Sequence, residues 1–432
     1  MRGSANVATL TAREARLSAR ARRTKEPQIS WLLKKPLENP NIISLAAGLV
    51  DQQTLPAQPI QQLVSLLFSD EEAAKRALQY GTTEGDAALR QTLAQRLESQ
   101  GLPGPIDPEN IVLTNGSQQL LFLATDVLVD HGDIVLVEDP TYFVYMGTLD
   151  AVGARTIGIP TDDDGIIPEA LEETLRQLAA EGLLPRVKIL YVMTYFQNPK
   201  GSSHTWKRRE QIYEIIERFS SEENFIYIIE DAAYFELKFE GDEVPFMKTL
   251  DPANERVLLA MTFSKAFAPG LRLGYGYVPA ELTPHILNQK GNHDFGSGNL
   301  AQNLVCQALR TGIFDRHSAM LRDRYRQKRD IMLEVIREKF PPEVKYLEPK
   351  GGLYVWVTMP EGIATSPGSR FFEEALRREV LYVPGCYCYA QEEGRRKPDN
   401  QLRLCYAYIQ EEPMKEGLRR LADACVAAIE QA

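Results

Sequence analysis

From about residue 110 the chain alternates short apolar runs with amphipathic stretches, and this alternation restricts its fold more than any other feature. Ile111 to Leu113, Ile134 to Val137, Ala154 to Ile159, Val187 to Val192, Phe225 to Ile229, Val257 to Met261 and Tyr275 to Val278 are short and mostly apolar throughout. Such runs read as strands buried on both faces. Between them, Gln118 to Val129, Pro168 to Ala180 and Trp206 to Phe219 repeat their apolar residues at helical spacing. Strands separated by helices pair in parallel with helices over both faces, so the expectation is an α/β unit around a mostly parallel, seven-stranded sheet.

A helical pattern follows from Leu300 to Lys339, with Pro341-Pro342 as its stop. After it, shorter strands (Tyr354 to Thr358, Leu402 to Tyr408) mix with helices (Arg370 to Arg378, Pro413 to Glu430), as in a smaller α+β unit completed by the N-terminal segment. Met359 to Gly368 and Gln391 to Asn400 read as surface loops. A chain of 432 residues is too long for one core, which agrees with two units.

The net charge of −10 argues against a nucleic-acid partner for the body of the chain. The charge is uneven: residues 1–35 carry +7 and the remainder −17. An Arg-, Ala- and Ser-rich start fits a transit peptide or a nucleic-acid arm, but the simplest expectation is a solvated helix packed over the body. Cys306, Cys386, Cys388, Cys405 and Cys425 show no CxxC and no metal spacing, which points to free thiols in a reducing, cytoplasmic setting. Five scattered histidines offer neither a zinc motif nor a triad, so no metal is expected. No apolar run reaches membrane-span length.

In a parallel sheet, ligands lie beyond the carboxyl ends of the strands. The first strand runs into Asn115-Gly116-Ser117-Gln118 and a helix, a turn that suits a phosphate but is equally a plain cap. The second ends at Glu138-Asp139-Pro140-Thr141-Tyr142, whose aromatic can stack on a flat ring or simply pack. Another leads to Asn198-Pro199-Lys200-Gly201, placing an amide at the mouth. Phe225 to Ile229 ends at Glu230-Asp231 and is followed by Tyr234; a carboxylate there is costly unless it faces a cation. The most specific block is Thr262-Phe263-Ser264-Lys265, followed across a Pro-Gly turn by Arg272.

These residues, with Ala46-Ala47-Gly48, Tyr80-Gly81 and Arg403, occur in the order seen in the class I/II aminotransferases of pyridoxal-phosphate fold type I, which the chain resembles over about residues 30–430. Within that family it looks most similar to the 2-aminoadipate, kynurenine and aromatic aminotransferases. The resemblance implies an N-terminal arm (1–45) joining the small domain, a large cofactor-binding domain (46–305), and an interdomain helix with a small C-terminal domain (306–432). It implies that Lys265 binds pyridoxal 5'-phosphate covalently and then shuttles the substrate proton. Asp231 pairs with the pyridine nitrogen, Asn198 and Tyr234 hold the ring hydroxyl, and Tyr142 stacks on the ring. Gly116, Ser117, Gln118, Thr262, Ser264 and Arg272 hold the phosphate, and Tyr80 reaches that of the neighbouring subunit in a homodimer. Arg403 clamps the substrate carboxylate, with Gly48 and Asn198 closing the pocket.

The activity implied is transfer of an amino group from an L-amino acid (aromatic, branched or 2-aminoadipate-like) to a 2-oxo acid such as 2-oxoglutarate. A lyase, decarboxylase or racemase on the same fold, and a non-catalytic ligand-sensing domain, are the alternatives. Several residues depart from the family pattern. Lys200 stands where a small residue is common and is either a surface lysine or a modifier of Asn198. Asn292 to Asn299 is unusual, with Ser297 as a cross-subunit contact. Trp31 stands where an arginine is frequent and favours apolar or aromatic substrates, while Arg22, Arg23 or Lys25 could serve an acidic one.

Overall fold

The computed structural model describes residues 16–431 apart from Glu393. Its main sheet is built from β1 (Ile111–Thr114), β2 (Ile134–Asp139), β3 (Arg155–Asp162), β4 (Gly165–Ile166), β5 (Val187–Val192), β6 (Tyr227–Asp231), β7 (Val257–Thr262) and β8 (Gly274–Tyr277). The spatial order is β1-β8-β7-β6-β5-β2-β3-β4. The seven expected strands are present, and a two-residue eighth, β4, folds back antiparallel on β3. Strands β3, β2, β5, β6 and β7 run parallel, while β8 is antiparallel to both β7 and β1.

Two-residue alternation divides each strand between two cores. Ile134, Leu136, Leu190 and Ile228 face Leu171, Leu175, Ile212 and Ile216 of the helices Pro168–Ala180 and Trp206–Arg218. Val135, Val137, Ile189, Tyr191 and Ile229 face the other way, toward Leu120 and Ala124 of helix α1 (Ser117–Leu128). Asp231 shares the face of Ile229, and Glu230 that of Ile228. The same strand thus sends one carboxylate to each side.

A second, antiparallel sheet orders Lys345–Tyr346, Tyr354–Thr358, Gln401–Cys405 and Val383–Pro384. Arg403 lies opposite Trp356 on one side and Val383 on the other. The N-terminal segment joins this region through Ile43–Ser44, which pairs in parallel with Val380–Leu381.

Several elements differ from the sequence reading, which did not name the helices Ala57–Phe68, Glu71–Leu78, Ala87–Ser99 and Thr283–Asp294. The helix expected from Leu300 to Lys339 is two, Asn299–Arg310 and Ile313–Lys339, broken where Gly312 takes φ +68°. Helix Phe143–Val152 was not foreseen, because Phe143, Tyr145, Met146 and Leu149 are buried without a charged face to mark it. Thr365, in an expected surface loop, is buried and its carbonyl accepts from Tyr382. Of the basic arm, residues 1–15 lie outside the described residues. Beyond them Ala19–Arg23 is a short helix, with Arg20 paired to Asp126 at 3.0 Å and set over the Phe122 ring.

Candidate active site

The carboxyl ends of β1, β6 and β7 meet the start of β8 at one edge. Gly274 is in register with Thr262 on one side and Thr114 on the other. A side chain on Gly274 would stand 2.6 Å from the backbone of Gly116 and Ser117, so the start of β8 lies directly against the N-terminus of α1. The chain reaches it through the turn Pro269–Leu271 and Arg272, whose left-handed backbone (φ +49°) is unusual for a non-glycine residue. This turn brings the Arg272 guanidinium to the Asn115 carbonyl (3.3 Å) and the Ser264 hydroxyl (3.5 Å). The Thr262 and Ser264 hydroxyls are 3.0 Å apart. No side chain caps α1, and Arg272 meets only neutral oxygens among the described residues. Open backbone N–H groups, three hydroxyls (Ser117, Thr262 and Ser264) and an unneutralised guanidinium make a cup for a dianion.

Asp231, at the end of β6, is 2% exposed. It accepts from the Tyr191 hydroxyl (2.8 Å) and the Ala233 N–H (3.0 Å), with no cation bridged to it among the described residues. Burial pushes its carboxyl up to about 6, against these two hydrogen bonds. Glu230, on the opposite face, is satisfied by Thr194 and by the N–H groups of Met247 and Lys248. Asp231 is therefore the carboxylate still able to take a cationic ring nitrogen.

Lys265 donates to the Gly48 carbonyl at 3.0 Å. Burial brings its amine down to about 8; Cys405 opposes this, and Arg403 and Arg272 add to it. The Arg403 fork, itself 2% exposed, donates to Asn198 Oδ1 (2.7 Å) and to the Ala46 carbonyl (2.9 Å). Its Nε has no partner among the described residues. The guanidinium lies 4.2 Å from the Tyr354 ring centroid and 5.7 Å from that of Phe143. Tyr234 and Tyr354 share a hydrogen bond of 3.1 Å. Tyr142 is set among them: burial raises its phenol, Tyr354 and Asp231 add to the effect, and Arg403 and Arg272 oppose it.

The site thus gathers Lys265, Asp231, Tyr142, Asn198, Tyr234, Arg403 and Gly48, beside a cup formed by Gly116, Ser117, Thr262, Ser264 and Arg272. Gln118 borders the cup, with Nε2 turned to Thr148 at 3.4 Å. Tyr80 is not part of this cluster; it stands 84% exposed, edge-on to Phe295. Lys200 is no surface residue: it is buried and donates to the Asp162 carbonyl at 2.6 Å. Ser297 is buried and bonds this chain's own Leu113 carbonyl. Trp31 stacks on Phe372, and Arg23 is committed to the Ala151 and Val152 carbonyls.

Tyr191, Tyr354 and Phe143 were not foreseen. A tyrosine inside a buried strand needs a partner for its hydroxyl, and that need was the available signal for Tyr191.

A lysine with a depressed pKa, a buried carboxylate lacking its cation and a dianion cup at one sheet edge fit pyridoxal phosphate, and they define a pyridoxal-phosphate enzyme of fold type I. The sequence model for aminotransferase class I and II matches residues 40–421, and the chain belongs to that family. It is 36% identical to aromatic-amino-acid aminotransferase 1 of Thermococcus litoralis, over 95% of this chain and 94% of that one. It superposes on the multiple substrate aminotransferase of Thermococcus profundus with a TM-score of 0.88 at 33% identity, covering 98% of this chain and 100% of the other. For the α-aminoadipate aminotransferase LysN of Thermus thermophilus, solved with N-(5'-phosphopyridoxyl)-L-leucine, the TM-score is 0.84 at 31% identity, with 98% and 100% covered. The chain is a pyridoxal-phosphate-dependent aminotransferase, moving an amino group from an L-amino acid to a 2-oxo acid.

Proposed function

We propose that the preferred donor is an L-amino acid with an aromatic or other apolar side chain and that 2-oxoglutarate, or a similar 2-oxo acid, collects the nitrogen. The reading is supported by the 36% identity with an aromatic-amino-acid aminotransferase, beside a carboxylate clamp that is itself aromatic, with Phe143 and Tyr354 flanking the Arg403 guanidinium. Of the three cations that could serve an acidic side chain, Arg22 and Arg23 bond the carbonyls of Leu17, Ala151 and Val152, while Lys25 is exposed.

The residue roles follow from charge and reach. Arg403 takes the substrate carboxylate as a two-pronged ion pair, which holds the Cα–carboxyl bond and presents the Cα proton. Lys265, once displaced by substrate, carries that proton, since an amine near pKa 8 is partly neutral at working pH. Pyridoxal phosphate supplies the electron sink that makes the Cα proton removable. Asp231 holds the pyridine nitrogen in its charged form, Asn198 and Tyr234 hold the ring oxygen, and Tyr142 covers the ring face. Ser117, Gln118, Thr262, Ser264 and Arg272 bind the phosphate.

We further infer a homodimer in which Tyr80 enters the neighbouring phosphate cup. Its exposure, beside exposed Leu78 and Phe295, supports this. A large unit over 46–305, flanked by 1–45 and 306–432, suits the sheet division. A cytoplasmic location agrees with five free thiols and with the finding that no described helix is long and apolar enough to cross a membrane.

The decisive experiment is turnover with a panel of L-amino acids and 2-oxoglutarate. Glutamate should form fastest with aromatic donors, and Lys265→Ala should still bind cofactor yet lose turnover by several orders of magnitude. Near-normal turnover in that variant would sink the role of Lys265. A preference for acidic donors would overturn the donor assignment.

A further inference from the structure

Tyr354 opens the strand Tyr354–Thr358, is 2% exposed and lies in register with Cys405, two residues from Arg403. Its ring is fixed on three sides. The Arg403 guanidinium lies 4.2 Å from the ring centroid, and the Tyr234 ring meets it edge-on with centroids 5.8 Å apart. On the third side is Gly48, where an added Cβ would stand 2.7 Å from the Tyr354 hydroxyl, so only glycine admits the phenol at that point. The hydroxyl meets that of Tyr234 at 3.1 Å, and among the described residues each is the other's only hydrogen-bond partner. Burial raises both phenols, so both keep their protons at neutral pH. Two phenols carry two protons, and one hydrogen bond between them uses one. The second proton is free to point at a ligand.

We propose that Tyr354 is a positioning residue: its hydroxyl donates to Tyr234, which commits the Tyr234 proton to the cofactor's ring oxygen, while its ring holds the Arg403 fork in place. This rests on the reading that Tyr234 binds that oxygen. Hydrogen bonds in a chain polarise one another, so a Tyr234 that accepts from Tyr354 is the stronger donor. Tyr354 thereby links the carboxylate clamp to the cofactor ring, one through its face and the other through its hydroxyl.

The test is spectroscopic. A donor on the ring oxygen draws its charge away from the proton on the neighbouring Lys265 nitrogen, so losing that donor raises the pH at which the cofactor's visible band titrates. Tyr354→Phe keeps the ring and removes only the hydroxyl, and should raise the midpoint by about half a unit, the scale of a weakened hydrogen bond. Tyr234→Phe should raise it by about one unit. The double variant should match Tyr234→Phe, because Tyr354 acts through Tyr234.

An unmoved midpoint in Tyr354→Phe beside a moved one in Tyr234→Phe overturns the proposal, as does full additivity in the double variant. An unmoved midpoint in Tyr234→Phe overturns the assignment of Tyr234 itself, and the proposal with it. Tyr354→Met removes ring and hydroxyl together; it should show the same midpoint shift plus a several-fold higher KM for the amino donor. A KM equal to that of Tyr354→Phe would refute the part played by the ring. Melting of the cofactor-free variants verifies that each is folded.

Discussion

Burial moves Asp231 up to about 6 and Lys265 down to about 8, so at pH 7 both still carry the charge that burial disfavours. The folded pKa of Asp231 lies above its unfolded value. Its favourable contribution is therefore present below the ordinary carboxylate range and lost as pH rises through about 6. For Lys265 the folded value lies below the unfolded one, so its contribution is present above the ordinary lysine range and lost as pH falls through about 8. Each shift corresponds to a cost on the order of 3 kcal/mol near neutrality. The cofactor relieves both, by giving Asp231 a cation and by consuming the Lys265 charge. Cofactor uptake by the stripped enzyme should accordingly rise with pH through about 8, where the amine becomes neutral, and its affinity should weaken as pH falls through about 6. Asp231→Asn should lose the acid limb and keep the alkaline one; an acid limb that persists in Asp231→Asn would place the titration on another group. Titration of the stripped protein, followed by the visible band, measures both limbs. Of these residues the charged ones were legible in the sequence, because Lys265 and Asp231 sit at the ends of apolar strands. Tyr191 was not, since a tyrosine in Val187–Val192 looks like core until the neighbouring strand places Asp231 within 2.8 Å of it.

Among the elements, the contact between β8 and the start of α1 builds the phosphate cup, and it depends on the missing side chain of Gly274. A Cβ there would meet the Gly116 carbonyl carbon and the Ser117 nitrogen at 2.6 Å and the Met261 oxygen at 2.8 Å, all backbone atoms that cannot rotate away. Gly274→Ala should push α1 off the Arg272 turn. The expected result is a cofactor affinity lower by more than about tenfold and a stability loss of about 1–3 kcal/mol. Gly270→Ala, in the same loop with nothing within 4 Å of the added carbon, should change neither. Equal cofactor binding by the two variants would show that the cup does not need this close approach. The strands of this sheet were readable because burial on both faces leaves continuous apolar runs. Helix Phe143–Val152 was hidden for the same reason, being apolar with no solvated stripe. The break at Gly312 was missed because a single glycine within a helical pattern is commonly tolerated.

Across the whole molecule, Asp51 fastens three stretches that are far apart in sequence. Fully buried, it accepts from Lys328 (2.9 Å) and Arg324 (3.3 Å) of the long helix, from Gln410 (3.0 Å) and from the Gln53 N–H (3.0 Å). Burial pushes its carboxyl up, but the hydrogen bonds from Lys328, Gln53 and Gln410 hold it below the ordinary carboxylate range. Burial also lowers Lys328, yet Lys328 bonds both Asp51 and the Ala407 carbonyl, and four donors around one carboxylate keep the pair charged. The segment fixed in this way carries the Ala46 and Gly48 carbonyls, which receive Arg403 and Lys265. Removing the carboxylate leaves Lys328 buried without its anion, so Asp51→Ala should cost about 3–5 kcal/mol of stability. Because the folded pKa of Asp51 lies below the unfolded one, its contribution is present above the ordinary carboxylate range and lost as pH falls through the folded value. The variant should therefore lose stability at pH 7 and converge on the native enzyme in strong acid. Where it remains folded, its KM for the amino donor should rise, since the carbonyl that orients Arg403 is no longer anchored. Denaturant unfolding at pH 7 and at pH 3, with donor KM measured at pH 7, tests this chain of contacts. An unfolding difference that is the same at both pH values would assign the loss to packing rather than to the ion pair.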